Sequence, residues 1–276
     1  MSSRPSVADK RRAFRKLHES GCFVIPNPWD VGSALYLQSL GFKALATTSS
    51  GFAWSVGNAD GQISRDAALA HLHSMVAATD VPVNADFENG FASNAAGVGE
   101  GVTLALQCGV AGISIEDSTG DSQRPLFDLD EAVARMRSAR KAVDSAGGDA
   151  FLVGRAECYL VGRPVLAETI ERLQAYAAAG ADCLYAPGLR TRADIAAVVK
   201  AVAPKPFNLL VGWPSELTVK EIEALGVRRV SVGGALARCA WGGFIRAARS
   251  LAGEGAFTAF SEAASGNELN ALFQRR

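Results

Sequence analysis

Short apolar runs alternate with longer amphipathic segments along the whole chain. Runs of Val, Ile, Leu, Phe and Ala bounded by glycine or polar residues read as buried strands. They cover Phe23–Asn27, Ala44–Thr48, Val81–Phe87, Gly112–Asp117, Phe151–Glu157, Cys183–Pro187, Phe207–Val211 and Arg229–Gly233. The intervening segments predict helices over Asp30–Leu40, Arg65–Thr79, Ala95–Cys108, Asp128–Ala146, Pro164–Ala179, Thr191–Val202, Thr218–Leu225 and Ala235–Leu251. Gly41, Gly109, Gly180 and Gly226 each follow a helix and precede a strand, where a left-handed residue ends a helix. Asp30, Ser64 and Thr218 suit helix N-caps, and Pro164 suits a first turn.

Eight alternating strand–helix units predict an α/β fold, a (β/α)8 (TIM) barrel. A doubly wound sheet is the alternative. It would carry a glycine fingerprint after its first strand, and Pro26-Asn27-Pro28-Trp29-Asp30 is not one. Residues 1–20 add a helix before the first strand, and residues 253–276 form a C-terminal tail with a short helix over Glu268–Phe273. No interdomain linker is visible, so residues 1–276 are expected to form a single barrel domain.

Charge and composition narrow the function. Lys+Arg and Asp+Glu are both 28, so no net field attracts nucleic acid or an anionic membrane. Met1–Arg15 is polar and basic without a signal-peptide core, no stretch is long and apolar enough to span a membrane, and a cytoplasmic location is expected. The five cysteines form no C-x-x-C pair, which points to reduced thiols rather than zinc or disulfides.

Chemistry in a barrel sits where strands end. Asp86 and Glu88 are two apart and face one way; Glu116 and Asp117 end the fourth strand, and Arg155 and Glu157 end the fifth. Asp86, Glu88 and Glu116, with Asp60 from a long loop, form an all-oxygen donor set that favours Mg2+, with Mn2+ as the substitute. Arg155 would offset part of that negative charge and clamp a substrate carboxylate. Ser50-Gly51-Phe52 would present backbone N–H groups to an anion. Gly233-Gly234 is a weaker anion-binding candidate. His18, His71 and His73 fall in helices and read as packing or surface residues, which argues against a histidine triad.

These residues, in this order and spacing, resemble the isocitrate lyase/phosphoenolpyruvate mutase superfamily over nearly the whole chain. The phrases that carry it are Pro26-Asn27-Pro28-Trp29-Asp30, Thr47-Thr48-Ser49-Ser50-Gly51-Phe52, Asn84-Ala85-Asp86-Phe87-Glu88-Asn89-Gly90, Ser114-Ile115-Glu116-Asp117 and Gly154-Arg155-Ala156-Glu157. The resemblance implies a barrel whose eighth helix is swapped between subunits, in a dimer or dimer of dimers. It implies Mg2+ at Asp60, Asp86, Glu88 and Glu116, directly or through water. It also implies a small 2-oxo acid across that metal, its carboxylate meeting Arg155 and the Ser50-Gly51-Phe52 amides. Family chemistry makes or breaks a C–C or C–P bond beside a pyruvate-like unit. Cleavage there leaves an enolate that a divalent ion stabilises.

One segment departs from the family. Isocitrate and methylisocitrate lyases carry Lys-Lys-Cys-Gly-His after the fourth strand, with the cysteine as general acid. Ser118–Phe127 has no Cys, Lys or His, and lacks the Lys/Asn segment of the phosphonate enzymes. That argues against isocitrate-type lysis. It leaves decarboxylation or hydrolysis of oxaloacetate-like acids, or lysis of another small 2-oxo or 2-hydroxy acid. C–P chemistry, as a phosphonopyruvate hydrolase or mutase, and a noncatalytic 2-oxo acid binder are the alternatives. Glu157 and Tyr185 are candidates for proton handling. Trp29 and Asn89 join Ser50–Phe52 and Arg155 as candidates to touch the substrate.

Overall fold

The structure, a computed structural model, describes residues 4–274. The strands are β1 (Phe23–Ile25), β2 (Leu45–Ala46), β3 (Val83–Asp86), β4 (Gly112–Glu116), β5 (Phe151–Arg155), β6 (Cys183–Tyr185), β7 (Phe207–Leu210) and β8 (Arg229–Ser231). All are parallel, in the order β1-β8-β7-β6-β5-β4-β3-β2. Across the remaining gap the Ala46 N–H donates to the Pro26 carbonyl at 3.0 Å, which nearly closes the barrel. The helices that return the chain between strands are α2 (Val31–Ser39), α4 (Arg65–Ala78), α5 (Ala95–Gln107), α6 (Leu129–Ser145), α7 (Leu166–Ala178), α8 (Arg192–Val202) and α9 (Val219–Ala224). Each strand is therefore buried on both faces, which is why its sequence reads as a near-continuous apolar run.

The N-terminal helix α1 (Val7–Leu17) opens on a Ser6/Asp9 capping box and plugs the barrel from below. Phe14 is fully buried against Ile25, Ala46, Phe151 and Val153. A side chain on β4 at Gly112 would collide with that plug, because a β-carbon there would lie 2.6 Å from the Phe14 ring. Basic side chains of α1 fasten it to neighbouring chain ends. Lys10 donates to the carbonyls of Val76 (3.2 Å) and Thr79 (2.5 Å), and Arg11 to Val110 (3.1 Å) and Leu106 (3.2 Å). Cations on carbonyls near helix C-termini also complement the helix dipoles.

Two segments differ from the sequence reading. Ser49–Ser55, read as a turn opening a long loop, is a short helix, α3, capped by Thr48. Its Ser/Gly composition hides it from propensity, and the Thr48 cap makes it. The last helix, α10 (Ala235–Glu254), runs three residues beyond the predicted end and buries only Ala237. It is followed by a 3-10 turn (Thr258–Glu262) and α11 (Gly266–Gln274), which starts before the expected Glu268. Trp241, Phe244, Ile245 and Leu251 of α10 are exposed. Among the described residues, no helix is long and apolar enough to cross a membrane.

Candidate active site

Parallel pairing sets the site. The registers Asp86↔Ser114, Glu116↔Arg155 and Arg155↔Tyr185 bring the ends of β3 to β6 to one rim. Arg155 stands at the centre. Its Nη1 lies 3.2 Å from Asp86 Oδ1 and 3.1 Å from Glu116 Oε2, its Nε pairs with Glu157 Oε1, and its guanidinium lies 5.1 Å from the Tyr185 ring centroid. Asp86 is held from the β2 side, where its Oδ2 accepts from the Ser49 N–H at 3.0 Å and its own N–H donates to Thr47 Oγ1 at 2.9 Å.

One arginine cannot satisfy this many acids. Burial pushes the Glu116 carboxyl well above its usual range despite Arg155, and Glu157, Asp86 and Glu88 push it further. Burial also raises Glu157 and Asp60, against the opposing pull of Arg155. Glu88 rises to about 7 through burial, then through repulsion from Asp86 and Asp60. Burial alone would lower Arg155; Glu116, Glu157, Tyr185 and Asp86 reverse this and hold it well above its ordinary value. Tyr185 is raised to about 12, chiefly by burial, so it keeps its proton at neutral pH.

The backbone carrying Glu88 is strained, with φ 46° at Glu88 and 53° at Phe91, in the region favoured by glycine. Surrounding bonds fix it. The Glu116 N–H donates to the Glu88 carbonyl at 2.9 Å. Arg135 of α6, 1% exposed, donates to the Ala92 carbonyl at 3.0 Å and lies 3.6 Å from the Phe127 ring centroid. Behind Glu157, the Asp117 carboxylate accepts from the Glu157 N–H (2.8 Å), Tyr176 Oη (2.5 Å) and Arg172 Nη1 (3.1 Å). Arg172 also donates to the Phe127 carbonyl at 3.0 Å, anchoring the end of the Ser118–Phe127 loop. That loop is pinched by a Ser118–Leu126 bridge.

A cavity of about 160 Å³ opens beside this cluster, lined among others by Ser50, Asp60, Asp86, Arg155, Tyr185 and Arg229. The predicted residues divide around it. Asp60 lies on an exposed loop yet lines the cavity with Asp86. Glu116 and Glu157 reach the site through their pairs with Arg155. Glu88 borders an adjacent void of about 20 Å³, room for about one water, shared with Phe52 and His71. Gly51 and Phe52 donate their amides to Thr48, at 3.3 Å (Oγ1) and 3.1 Å (carbonyl), because they form the first turn of α3; two of the three amides expected to meet an anion are engaged in this way, and Ser50 lines the cavity. Gly51 is needed for close packing: a β-carbon there would lie 2.7 Å from the Thr48 methyl and 2.9 Å from Trp29 Cβ. Trp29 thus backs α3. Asn89 donates to the Ser118 carbonyl and accepts from the Phe91 N–H, both at 3.1 Å, so its amide braces the loop. Gly233 and Val232 donate to Asn27 Oδ1, each at 2.9 Å, which engages the Gly233 amide as well.

Among the described residues, no three His, Cys, Asp or Glu side chains converge into a ready-made metal cage. The donor set still fits a hard divalent ion. It is all oxygen, its acids raise one another's pKa values, and Mg2+ keeps several waters rather than requiring a closed protein shell. Asp86, Asp60, Glu88 and Glu116 are the residues that would hold it, directly or through water.

Two of the three histidines are packing residues, at opposite ends of the barrel, and His73 is exposed on α4. His18 stacks on Phe151 at 4.0 Å and burial lowers it to about 3; His71 stacks on Phe52 at 3.9 Å and burial lowers it to about 4. Sequence reasoning missed Arg135, the Asp117–Arg172–Tyr176 network and the polar barrel interior of Asn84, Asn208, Arg229 and Ser231. The last group had a visible signal: polar residues at alternate positions of β3 (Asn84, Asp86) and β8 (Arg229, Ser231), the period of one strand face.

A (β/α)8 barrel whose strand ends gather acids around a partly buried arginine belongs to a class that does its chemistry at the C-terminal mouth. The chain belongs to the phosphoenolpyruvate phosphomutase family, whose sequence profile matches residues 14–252, within the phosphoenolpyruvate mutase/isocitrate lyase superfamily. A crystal structure of a provisionally assigned lyase/mutase from Burkholderia cenocepacia J2315 is 47% identical, covers 97% of each chain and superposes with a TM-score of 0.94. Oxaloacetate decarboxylase of Paraburkholderia xenovorans is 30% identical over 76% of this chain and 71% of its own length. Oxaloacetate acetylhydrolase, solved with its product oxalate, is 25% identical over 98% and 94% of the two chains, with a TM-score of 0.84. Relatives in this superfamily are lyases and mutases, which supports an enzyme with lyase-type chemistry.

Proposed function

We propose that the protein is a cytoplasmic, Mg2+-dependent lyase that cleaves a C–C bond next to the oxo group of a small, oxaloacetate-like 2-oxo or 2-hydroxy acid. The observation that carries this reading is Arg155 ringed by Asp86, Glu116 and Glu157 at the wall of the cavity that Asp60 and Asp86 line. Mg2+, when bound, supplies Lewis-acid stabilisation for the enolate charge left by cleavage. The protein's own groups bind and orient. The Arg155 fork holds the substrate carboxylate, exchanging part of its carboxylate pairing for it. Asp86 is aimed by the Ser49 amide. Tyr185, protonated at neutral pH, donates a hydrogen bond at the same wall, and Glu157, fixed by Asp117, steadies Arg155.

The similarity to oxaloacetate decarboxylase and oxaloacetate acetylhydrolase supports C–C chemistry over C–P chemistry. The Ser118–Phe127 loop, without Cys, Lys or His, favours one further reading, a 2-oxo acid binder with no turnover. A Mg2+-dependent assay over oxaloacetate, phosphonopyruvate and 2,3-dimethylmalate separates the three. Carbon-fragment products support the lyase, phosphate release supports C–P cleavage, and tight binding without products supports the binder. We also propose that the protein is a homo-oligomer in which α10 packs on a second copy. The exposed Trp241, Phe244, Ile245 and Leu251 support this. A monomeric mass by light scattering at micromolar concentration would contradict it.

A further inference from the structure

Among the described residues four arginines are buried: Arg11, Arg135, Arg172 and Arg229. The first three each have a carboxylate close by, Asp149 at 2.8 Å, Glu131 at 3.1 Å and Asp117 at 3.1 Å. Arg229 is 2% exposed, and among the described residues no carboxylate lies within salt-bridge distance of it. Its partners are neutral: Asn208 Oδ1 at 2.8 Å, Asn84 Oδ1 at 3.4 Å and His18 Nε2 at 3.5 Å. His18 Nδ1 lies 2.8 Å from the Phe14 carbonyl and donates to it, so Nε2 faces Arg229 as a neutral acceptor. Cys183 and Tyr185, whose fields also reach Arg229, are raised by burial to about 11 and about 12 and carry no charge at neutral pH.

A buried guanidinium without an anion is costly, and an incoming anion would relieve that cost. Arg229 lines the same cavity as Arg155, Asp60 and Asp86, together with the polar side chains of Asn84, Asn208 and Ser231. The charge in that cavity is therefore divided. Acids crowd one wall, and an unpaired cation lies deeper, between β8, β7 and β3. We propose that Arg229 receives a second anionic group of the substrate, making the site selective for dicarboxylic over monocarboxylic 2-oxo or 2-hydroxy acids. This assignment rests on the oxo-acid reading above and adds a specificity-determining residue to it. Asn208 orients the guanidinium through Nε and donates to Ser231 Oγ at 3.0 Å, leaving that hydroxyl as a further contact on the same wall.

Calorimetric titration of the Mg2+-loaded protein with oxalate and with malate tests it. Oxalate engages the metal end alone, whereas malate carries a carboxylate at each end. In Arg229→Gln, malate affinity is expected to fall by about 100-fold while oxalate affinity stays within about threefold, the scale of losing one partner of a buried charge pair. Arg229→Lys keeps the charge without the fork and should lose about tenfold for malate only. Equal losses for both ligands, or no loss for either, overturn the assignment and leave the oxo-acid reading intact. Failure of both ligands to bind the unmutated protein overturns both. If Arg229→Gln does not melt cooperatively, the malate-to-oxalate ratio of Arg229→Lys decides.

Discussion

The two ends of the barrel treat buried charge in opposite ways. At the bottom, Lys10, Arg11 and Arg15 of α1 all reach backbone carbonyls, and Arg11 adds Asp149. His18 is kept neutral by burial. At the mouth, Asp60, Asp86, Glu88, Glu116 and Glu157 crowd one arginine, and burial and mutual repulsion raise several of their pKa values. The paired charges of α1 hold the plug in place. Unresolved charges at the mouth are a site prepared for a cation and a substrate. The same division holds in barrels generally, where bottom residues serve stability and mouth residues serve chemistry.

That contrast can be broken by mutation. The largest effect is expected at Asp86. Asp86→Ala should reduce turnover by more than about a thousandfold and abolish Mg2+ binding by calorimetry, with little change in melting temperature. The matched change at the bottom, Arg11→Met, should cost about 2–4 kcal/mol in urea unfolding, because Asp149 and two carbonyls lose their donor, yet leave kcat/KM of the folded protein unchanged. A kinetic loss there would erase the distinction. Arg155→Lys should lower kcat/KM by about 100-fold through weaker substrate binding, since a point charge replaces a fork. Gly112→Ala should destabilise by about 1–3 kcal/mol in urea unfolding, through clashes with the Phe14 ring and Asn84 Oδ1.

The smallest effect sharpens the comparison through pH. In the metal-free protein the folded state holds the Glu88 proton up to about 7, whereas the unfolded chain releases it near the ordinary carboxyl value of 4.5. The folded state thus binds more protons between those values, and this group's contribution to stability falls as pH rises through the window. Glu88→Gln should therefore melt above the unmodified protein at pH 8 and not at pH 4.5, with Mg2+ removing the difference. An unchanged gap between the two proteins across pH would contradict the crowding at the mouth.

Much of this was legible in the sequence. The eight strands and the acids at their ends appear as apolar runs with polar ends, because a parallel strand buried on both faces imposes that pattern. Arg155 and Asp86 follow from their positions at strand ends. Three kinds of feature did not follow. The short helix α3 depends on one Thr48 cap rather than on periodicity, so the Gly51 and Phe52 amides were expected to be open. The braces from Arg135 and Arg172 join elements far apart in the chain, which spacing alone does not reveal. Asn89, named as a substrate contact, also braces a strained loop through its amide, a bonding that spacing alone does not reveal.

The central claim is that this mouth uses a divalent ion to break a C–C bond in an oxo acid. The direct measurement is steady-state turnover of oxaloacetate with product identification, in Mg2+ and after chelation. Carbon-fragment products are expected with Mg2+, and loss of activity on chelation that Mg2+ restores. Turnover that persists unchanged after chelation, or phosphate release from phosphonopyruvate with oxaloacetate left intact, would contradict it.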